Sequence, residues 1–237
     1  MPPSSKSIAS PIALPRRAGA IVATIEAQVE EDIVLGRLHP RQRLVEQDLA
    51  ERFSTHRAVV RQALANLDRK GLVERVPNRG ATVKDLLPID VKQIYAVREQ
   101  LEVMAGRIIP LPVTPSDMAR LEAIQADHDE AVKVGHLRNV FYSNLKFHQL
   151  IFALCGNPHL TEMIELLAGK VYGVRAYSNT FPPYLQKVRE QHHAMLDALR
   201  TGRRDDLIDL LRAHLRPSLE TYVSSYNRRF GDGSEQA

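Results

Sequence analysis

The sequence lacks the features of secreted and membrane proteins. Cys155 is the one cysteine in 237 residues, so no disulfide can form within the chain, and such cysteine usage is typical of a reducing cytoplasm. No apolar run approaches the roughly 18 residues that a membrane-spanning helix needs. The first 15 residues lack the basic start and apolar stretch of a secretory signal, and we interpret residues 1–15 as a disordered tail. We therefore expect a cytoplasmic protein with no membrane partner.

The charge of the chain is unevenly distributed. Hydrophobic residues make up 44% of the sequence, and its length suffices for two domains that each bury a core. Residues 37–84 hold 11 Lys and Arg against five Asp and Glu, whereas residues 88–237 hold 18 of each kind. A basic region beside a neutral one is typical of a module that binds a polyanion, although composition alone fits a solvated, Arg-rich surface equally well.

Apolar residues at helical spacing predict three helices in the N-terminal part, over 20–35, 46–53 and 57–70. A short polar break, Ser54-Thr55-His56, separates the second from the third, and Gly71 stands where a left-handed residue commonly ends a helix. Two β-rich runs, 72–76 and 81–83, follow and predict a hairpin. This order of elements predicts a winged helix-turn-helix, to which we assign residues 16–85.

The sequence after the linker at 85–88 is predicted to be helical throughout. The expected helices span 89–109, 115–134, 136–155, 158–177, 182–201 and 204–227, and the breaks between most of them contain Gly or Pro. No strand pattern or repeat is present there. We predict a mostly α protein, in which the N-terminal winged helix-turn-helix precedes an all-helical antiparallel bundle over 88–229, and we expect residues 231–237 to be disordered.

The third predicted helix carries side chains that suit the major groove of DNA. Arg57 and Arg61 lie one turn apart on the face opposite the apolar residues, with Gln62 beside them. Arginine can donate two hydrogen bonds to one guanine, so we expect the two arginines to read bases. A lone surface arginine more often faces only water, but this pair stands between a helix-turn break and a basic hairpin. The other candidates for DNA contact, at phosphates or the wing, are Arg69, Lys70, Arg75, Arg79 and Gly80.

Three histidines of the C-terminal part lie on otherwise apolar faces of different predicted helices, namely His148, His192 and His214. Asn144 lies one turn before His148 on the same face. A single inward histidine is more often a hydrogen-bonded core residue, but three from three helices can surround one divalent ion. We predict that the three histidines form a metal site. Zinc suits nitrogen ligands, and nickel is also compatible with them.

The stretch over residues 33–83 resembles the DNA-binding domain of the GntR superfamily. The matching pieces are LGRLHP, LVEQDLAERF, VRQAL and GLVERVPNRGATV. The resemblance implies that Arg57 and Arg61 contact DNA. The sequence departs from the family pattern at Arg41, where glycine is usual. In the family motif GVSRTPVREAL, His56 replaces the serine and Val59 the proline, and histidine is a weaker helix N-cap than serine.

The helical remainder resembles the FCD ligand-binding domain of the FadR branch, through IYAVREQLE, NLKFHQLIFALCGNPHL and EQHHAMLDAL followed by AHL. Many such domains hold a metal through an Asp and three His at these positions; here Asn144 replaces the Asp and brings no charge, so weaker metal binding is expected. Arg98 matches an inward arginine that helps to hold a carboxylate effector, although an ion pair with Glu102 explains it nearly as well. Arg175 and Asn179 are further candidates for the effector cavity. The implied effector is a small organic acid, such as a sugar acid, a hydroxy acid or a dicarboxylate.

These observations favour a homodimeric transcription regulator that binds an inverted repeat in double-stranded DNA and responds to an effector. We expect a repressor, because repression relieved by a ligand is the commoner arrangement in such regulators. A metal-dependent hydrolase with an accessory DNA-binding domain is the main alternative, because three histidines around an open metal also begin metallohydrolase sites. Against it, no general base is spaced beside the histidines. A DNA-packaging protein without an effector is a second alternative, disfavoured by the large neutral helical part.

Overall fold

The computed structural model describes residues 16–76 and 80–230. The predicted terminal tails, 1–15 and 231–237, and the wing residues Pro77 and Arg79 lie outside this range. Within the described residues, no helix combines the length and apolar character needed to cross a lipid bilayer.

The N-terminal part is a winged helix-turn-helix, as predicted. Its elements are α1 (Arg16–Val34), β1 (Arg43–Leu44), α2 (Glu46–Arg52), α3 (Arg57–Arg69), β2 (Val73–Val76) and β3 (Gly80–Val83). The strands form an antiparallel sheet in the order β1-β3-β2. One face of α1 packs against α3, because both helices repeat apolar residues at helical spacing. The side chains fully buried in this contact include Ile25, Val29, Val60 and Leu67.

The strand β1 was not predicted, because two residues are too few to show the alternation that marks a strand. It pairs Arg43 with Thr82 and Leu44 with Ala81. Gly80 is required by this contact: its φ is +90°, and a Cβ atom built on it would lie 2.5 Å from the carbonyl oxygen of Leu44. The glycine is therefore explained by packing of the wing against β1, and its contact with DNA remains a prediction.

The C-terminal part is all-helical among the described residues. Its helices are α4 (Pro88–Ile108), α5 (Pro115–Lys133), α6 (Leu137–Ala153), α7 (Pro158–Lys170), α8 (Tyr172–Ser178), α9 (Pro182–Thr201) and α10 (Arg204–Phe230). The helix α10 packs along α4 and α9, and α5 packs along α6 and α9. Their shared core includes the fully buried Leu121, Phe147, Ile151, Met195, Leu199, Leu207 and Leu211.

The prediction of one helix over 158–177 is wrong, because the chain breaks into α7 and α8 at Val171. The backbone there has φ −115° and ψ 20°, outside the helical region. The break directs the Val171 side chain into a buried cluster with Val91 and Tyr95 of α4. No proline marks this position, so tertiary packing overrides a continuous helical pattern.

The two parts of the molecule touch through α1 and the linker. Val34, near the end of α1, packs on Phe141 of α6. Arg138 of α6 forms an ion pair with Glu31 of α1, with 3.0 Å between Nε and Oε2. The hydroxyl of Tyr222 donates a hydrogen bond to the carbonyl oxygen of Leu86, at 2.8 Å. The winged helix-turn-helix is thus held directly against the helical part.

Candidate DNA interface and ligand site

The helix α3 presents the two predicted base-reading arginines to solvent. The side chains of Arg57 and Arg61 are 59% and 53% exposed. Gln62 is also exposed and donates a hydrogen bond to Asn66 at 3.0 Å. The helix begins after His56, whose side chain makes no capping hydrogen bond, in agreement with the expectation of a weak N-cap. The residues expected to meet base edges are therefore accessible, as the prediction requires.

The other predicted DNA contacts lie around this face. The guanidinium of Arg69 donates a hydrogen bond to Asn66 on its own helix. Lys70 is within 3.3 Å of both Glu26 and Glu30 of α1, so its ammonium group is turned toward that helix. Arg75 is exposed on β2, whereas Arg79 lies outside the described residues.

The helices α6, α9 and α10 bring His148, His192 and His214 together, and all three are buried. The Nε2 atom of His148 lies 3.0 Å from that of His214 and 3.3 Å from that of His192. Each residue thus offers one nitrogen to a space small enough for a single metal ion. The sequence prediction that these three residues converge is confirmed.

Two glutamine oxygens orient the imidazole rings of His192 and His214. The Nδ1 of His192 lies 2.8 Å from Oε1 of Gln125, and the Nδ1 of His214 lies 2.9 Å from Oε1 of Gln191. The amide of Gln125 in turn donates to Asp129 at 2.9 Å, which orients its oxygen toward the histidine. Because amide oxygens accept, both Nδ1 atoms carry the proton and both Nε2 atoms keep a lone pair, the arrangement typical of metal-binding histidines.

The imidazoles of the cluster are held in the neutral form that binds metals. Burial lowers the pKa of His214 to about 3, and it lowers the pKa values of His148 and His192 well below their ordinary value. The positive charge of Arg175 lowers all three further. Lone pairs that face one another at about 3 Å repel unless a proton or a cation lies between them.

A fourth possible ligand atom lies one turn before His148. The Oδ1 atom of Asn144 is buried and has no hydrogen-bond partner among the described residues. A buried acceptor without a partner is costly, typically about 1–3 kcal/mol. An ion would satisfy the amide oxygen and the facing imidazole lone pairs together, so the residues present fit a divalent metal.

Arg98 forms the ion pair that the sequence left as an alternative. Its Nε and Nη2 atoms donate to Oε1 of Glu102, at 3.0 and 2.7 Å, and both side chains are buried. Its Nη1 atom nevertheless has no partner among the described residues. The positive charge of Arg98 also lowers the pKa values of His148 and His214. The ion pair therefore leaves one donor for a ligand.

Arg175 of α8 and Asn179, the residue directly after that helix, differ in their surroundings. Arg175 is buried, and its positive charge lowers the pKa values of His148, His192 and His214. Asn179 follows α8 and lines a cavity between the two parts of the molecule. Its Nδ2 atom is buried and has no partner in the described part of the chain.

Sequence reasoning missed His128, which α5 places beside the cluster. Its ring centre lies 5.2 Å from that of His192, it is fully buried, and neither ring nitrogen has a partner among residues 16–76 and 80–230. Burial lowers its pKa to about 4. Gln125 and His128 share the buried face of α5 with Met118 and Leu121, so the helical spacing contained the signal for both.

The acidic residues near the cluster in sequence are not placed for catalysis. Glu190 is exposed, and Asp197 is paired with Arg203 at the surface. His193 is exposed and contacts Asp129 at 2.9 Å. None of these side chains supplies the general base that the hydrolase alternative needs.

Comparisons with known proteins agree with this architecture. Residues 21–83 match the bacterial regulatory proteins of the gntR family, and residues 93–217 match the FCD domain. The chain is 25% identical over 214 residues to the HTH-type transcriptional regulator McbR of Escherichia coli, covering 88% of this chain and 96% of McbR. It is 26% identical over 195 residues to the HTH-type transcriptional repressor RspR of Escherichia coli, covering 81% of this chain and 85% of RspR.

Solved structures show the same fold. Escherichia coli McbR/YncC superposes with a TM-score of 0.76 at 24% identity, covering 87% of this chain and 99% of that chain. A putative GntR regulator from Rhodococcus superposes with a TM-score of 0.75 at 21% identity, with coverage of 87% and 99%. The sequence relatives are named as regulators and not as enzymes, which removes the hydrolase alternative. Because the FCD match alone covers more than half of the chain, the protein belongs to the gntR family of bacterial regulatory proteins that carry an FCD domain, and it regulates transcription by binding DNA.

Proposed function

We propose that the protein is a homodimeric repressor of the cytoplasm whose affinity for a specific operator is controlled by a small carboxylate metabolite. The metabolite binds in the helical part, at a divalent metal held by Asn144, His148, His192 and His214. The single observation that carries the proposal is the convergence of three buried imidazoles, in which the Nε2 atoms of His214 and His192 lie 3.0 and 3.3 Å from that of His148.

The metal is proposed to be zinc or nickel, because most of its ligands are imidazole nitrogens. It would supply positive charge and leave coordination positions open to an anion. The chain supplies further positive charge there. Arg175 is buried near the histidines, and Arg98 keeps one free donor while Glu102 neutralises its charge. A carboxylate is the complementary ligand, because it can accept from a guanidinium and coordinate a metal together. A sugar acid, a hydroxy acid or a dicarboxylate meets this requirement.

DNA binding is assigned to α3 and the wing. Arg57, Arg61 and Gln62 are exposed on α3 and are proposed to meet base edges. The phosphate-contacting and wing residues are proposed to be Arg69, Lys70, Arg75, Arg79 and Gly80.

An exposed apolar surface supports the homodimer. Val97, Met104 and Ile108 lie on one side of α4 and are 52%, 50% and 44% exposed. Met163 and Leu166 of the adjacent α7 are exposed as well. Several exposed apolar side chains on two helices that pack together commonly mark a protein interface. A two-fold dimer would place one α3 at each half of an inverted repeat.

The test measures operator affinity as metal and organic acids are varied. The operator is chosen by selection from genomic fragments, and affinity is measured in chelator, with Zn²⁺, and with Zn²⁺ plus each acid of a panel. We expect one class of acid to change the affinity by about fivefold or more, and only with metal present.

Neighbouring histidines supply the control. His192→Gln should abolish both metal uptake and the response to acid, whereas His193→Gln, one residue away and exposed, should preserve both. Equal metal content in the two variants, measured by elemental analysis, would contradict the assigned ligands. A response to acids that persists in chelator would contradict the role of the metal.

A further inference from the structure

A cavity lies between the DNA-binding part and the helical part. Its volume is about 720 Å³, within the range of sites that bind small organic molecules. The end of α1, the following loop and the linker form one wall, and α6, α8 and α10 form the other. The histidine cluster does not line it. The cavity is therefore separate from the proposed metal and carboxylate site.

The walls are apolar and rich in aromatic rings. The aromatic side chains that line it are Phe141, Tyr177, Tyr222, Tyr226 and Phe230. Aliphatic residues of both parts, Val34 and Val174 among them, complete the surface. Walls of this composition suit a ligand with an apolar, ring-sized body.

The polar groups of the cavity favour an anion. Lys84, Arg41 and Arg228 line it, and Asp85, which pairs with Arg41 at 2.6 Å, is the one acidic residue among the described lining residues. The buried Nδ2 atom of Asn179 is a donor without a partner in the described residues. A ligand with an acceptor at one end would satisfy this amide and balance the excess positive charge.

We propose that this cavity binds an organic anion with an aromatic or similarly bulky apolar body, as a second ligand distinct from the small carboxylate. Because both parts of the molecule form the walls, the ligand binds best when they keep this relative arrangement. Binding of this ligand therefore favours one orientation of α3 relative to the helical part. Because the ligand binds two arrangements of the parts with unequal affinity, it changes the affinity of the protein for DNA.

Two glycines allow a matched test with the probe 8-anilinonaphthalene-1-sulfonate, an aromatic sulfonate. Gly173 of α8 lines the cavity, Gly169 of α7 does not, and a Cβ atom built on either meets no atom within 4 Å. Wild type should bind one probe molecule per chain with enhanced fluorescence. Gly173→Trp should weaken this binding at least about tenfold by filling the space, and Gly169→Trp should leave it unchanged. Both substitutions replace a helical glycine, so their effects on helix stability are similar.

Equal probe binding by the two tryptophan variants, or no saturable binding by wild type, would overturn the proposal. Asn179→Leu gives an independent check, because leucine has the same number and branching of non-hydrogen side-chain atoms and lacks the donor. We expect binding to weaken severalfold, and unchanged affinity would refute the placement of the anionic end. Circular dichroism confirms that each variant is folded.

Coupling to DNA is measured with the same variants. Saturating probe should change the affinity of wild type and of Gly169→Trp for the operator, and it should not affect Gly173→Trp. An operator affinity of wild type that is unchanged by saturating probe would exclude the regulatory role. These measurements are made in chelator, so that they are independent of the metal site.

Discussion

The carboxylate of Glu46, the first residue of α2, accepts two hydrogen bonds from the guanidinium of Arg61 on α3. The Nη2–Oε2 distance is 2.9 Å, and the Nε–Oε1 distance is 3.1 Å. The same carboxylate lies 3.3 Å from Nη2 of Arg57. The hydrogen bond from Arg61 is the main reason that the pKa of Glu46 is lowered, so this carboxylate remains charged. Glu46 thus orients both arginines that are proposed to read bases, and its charge offsets part of their attraction for phosphate.

Glu46→Gln is expected to lower the preference of the protein for its operator and to raise its affinity for non-specific DNA. Loss of the negative charge should tighten binding to non-specific DNA by about threefold to tenfold at low salt. Loss of the fixed guanidinium orientation should reduce the preference for the operator by about tenfold, the order of one bidentate base contact. Both affinities are measured by fluorescence anisotropy at two salt concentrations.

The control is Glu51→Gln, which removes the same charge from the same helix. Glu51 accepts a hydrogen bond from Gln47 and not from the arginines. Glu51→Gln should tighten binding to non-specific DNA without loss of the preference for the operator. Equal specificity ratios in the two variants would show that Glu46 does not orient the arginines.

The fold could be predicted from the sequence where a local pattern is strong. The helices of the DNA-binding part repeat apolar residues at helical spacing, and the fully buried Val60 and Leu67 of α3 carry that repeat. The strand β1 and the break at Val171 have no such local signal. The first depends on pairing with β3, and the second on burial against α4. Both arise from contacts between residues distant in the sequence.

The sequence was sufficient to predict the histidines of the candidate metal site, but not the residues that contact those histidines. Inward spacing on three helices was sufficient to identify His148, His192 and His214. Which residues contact them depends on how α5 packs against α6 and α9, so Gln125 and His128 emerge only in the structure. The positions of Arg175 and Asn179, one turn apart, gave no indication that Asn179 would line the cavity between the two parts of the molecule and that Arg175 would not.

Asn144→Asp should strengthen metal binding. The amide supplies an oxygen without charge, whereas a carboxylate at the same position would attract a divalent cation directly. We expect at least about tenfold tighter Zn²⁺ binding, equivalent to about 1.4 kcal/mol. Without metal, the buried carboxylate should lower the melting temperature, and with metal it should raise it. Competition with a fluorescent chelator and differential scanning fluorimetry measure the two effects.

Asn139→Asp is the matched control for this variant, because it adds the same charge at an exposed position of α6. It should leave Zn²⁺ affinity within about twofold of wild type, since exposed charges are screened by solvent. Unchanged Zn²⁺ affinity in Asn144→Asp would remove this residue from the proposed ligands.

His128→Phe should weaken the pH dependence of stability. The pKa of His128 is lowered to about 4 in the folded protein, while an unfolded histidine titrates near 6.5. Between these values the unfolded chain binds the extra proton, so this residue makes the metal-free protein less stable as the pH falls below about 6.5. At pH 5 the loss is about 2 kcal/mol relative to pH 7.

Phenylalanine does not titrate and leaves no buried nitrogen without a partner. The variant should therefore lose less stability than wild type between pH 7 and pH 5 in urea denaturation with chelator present. His159→Phe, at an exposed position of α7, is the control and should retain the wild-type pH dependence. Parallel pH profiles for His128→Phe and wild type would show that His128 titrates normally.

Arg41 adopts a backbone conformation that favours glycine, with a φ of +66°. A left-handed residue other than glycine costs about 1–2 kcal/mol, and the family's usual residue at this position is glycine. The arginine side chain compensates through its ion pair with Asp85 at 2.6 Å and its stacking on Phe230, 5.2 Å from the ring centre. Both contacts are largely exposed, so we expect them to contribute about 1 kcal/mol at most.

Two substitutions at this position separate the backbone from the side chain. Arg41→Ala loses the contacts and keeps the strained backbone, so it should be less stable than wild type. Arg41→Gly loses the same contacts and relieves the strain, so it should exceed Arg41→Ala in stability by about 1 kcal/mol and fall close to wild type. Calorimetric melting of the three proteins gives the order. If alanine and glycine proved equally stable, the left-handed backbone would carry no strain at Arg41, and the side-chain contacts alone would explain why arginine is tolerated there.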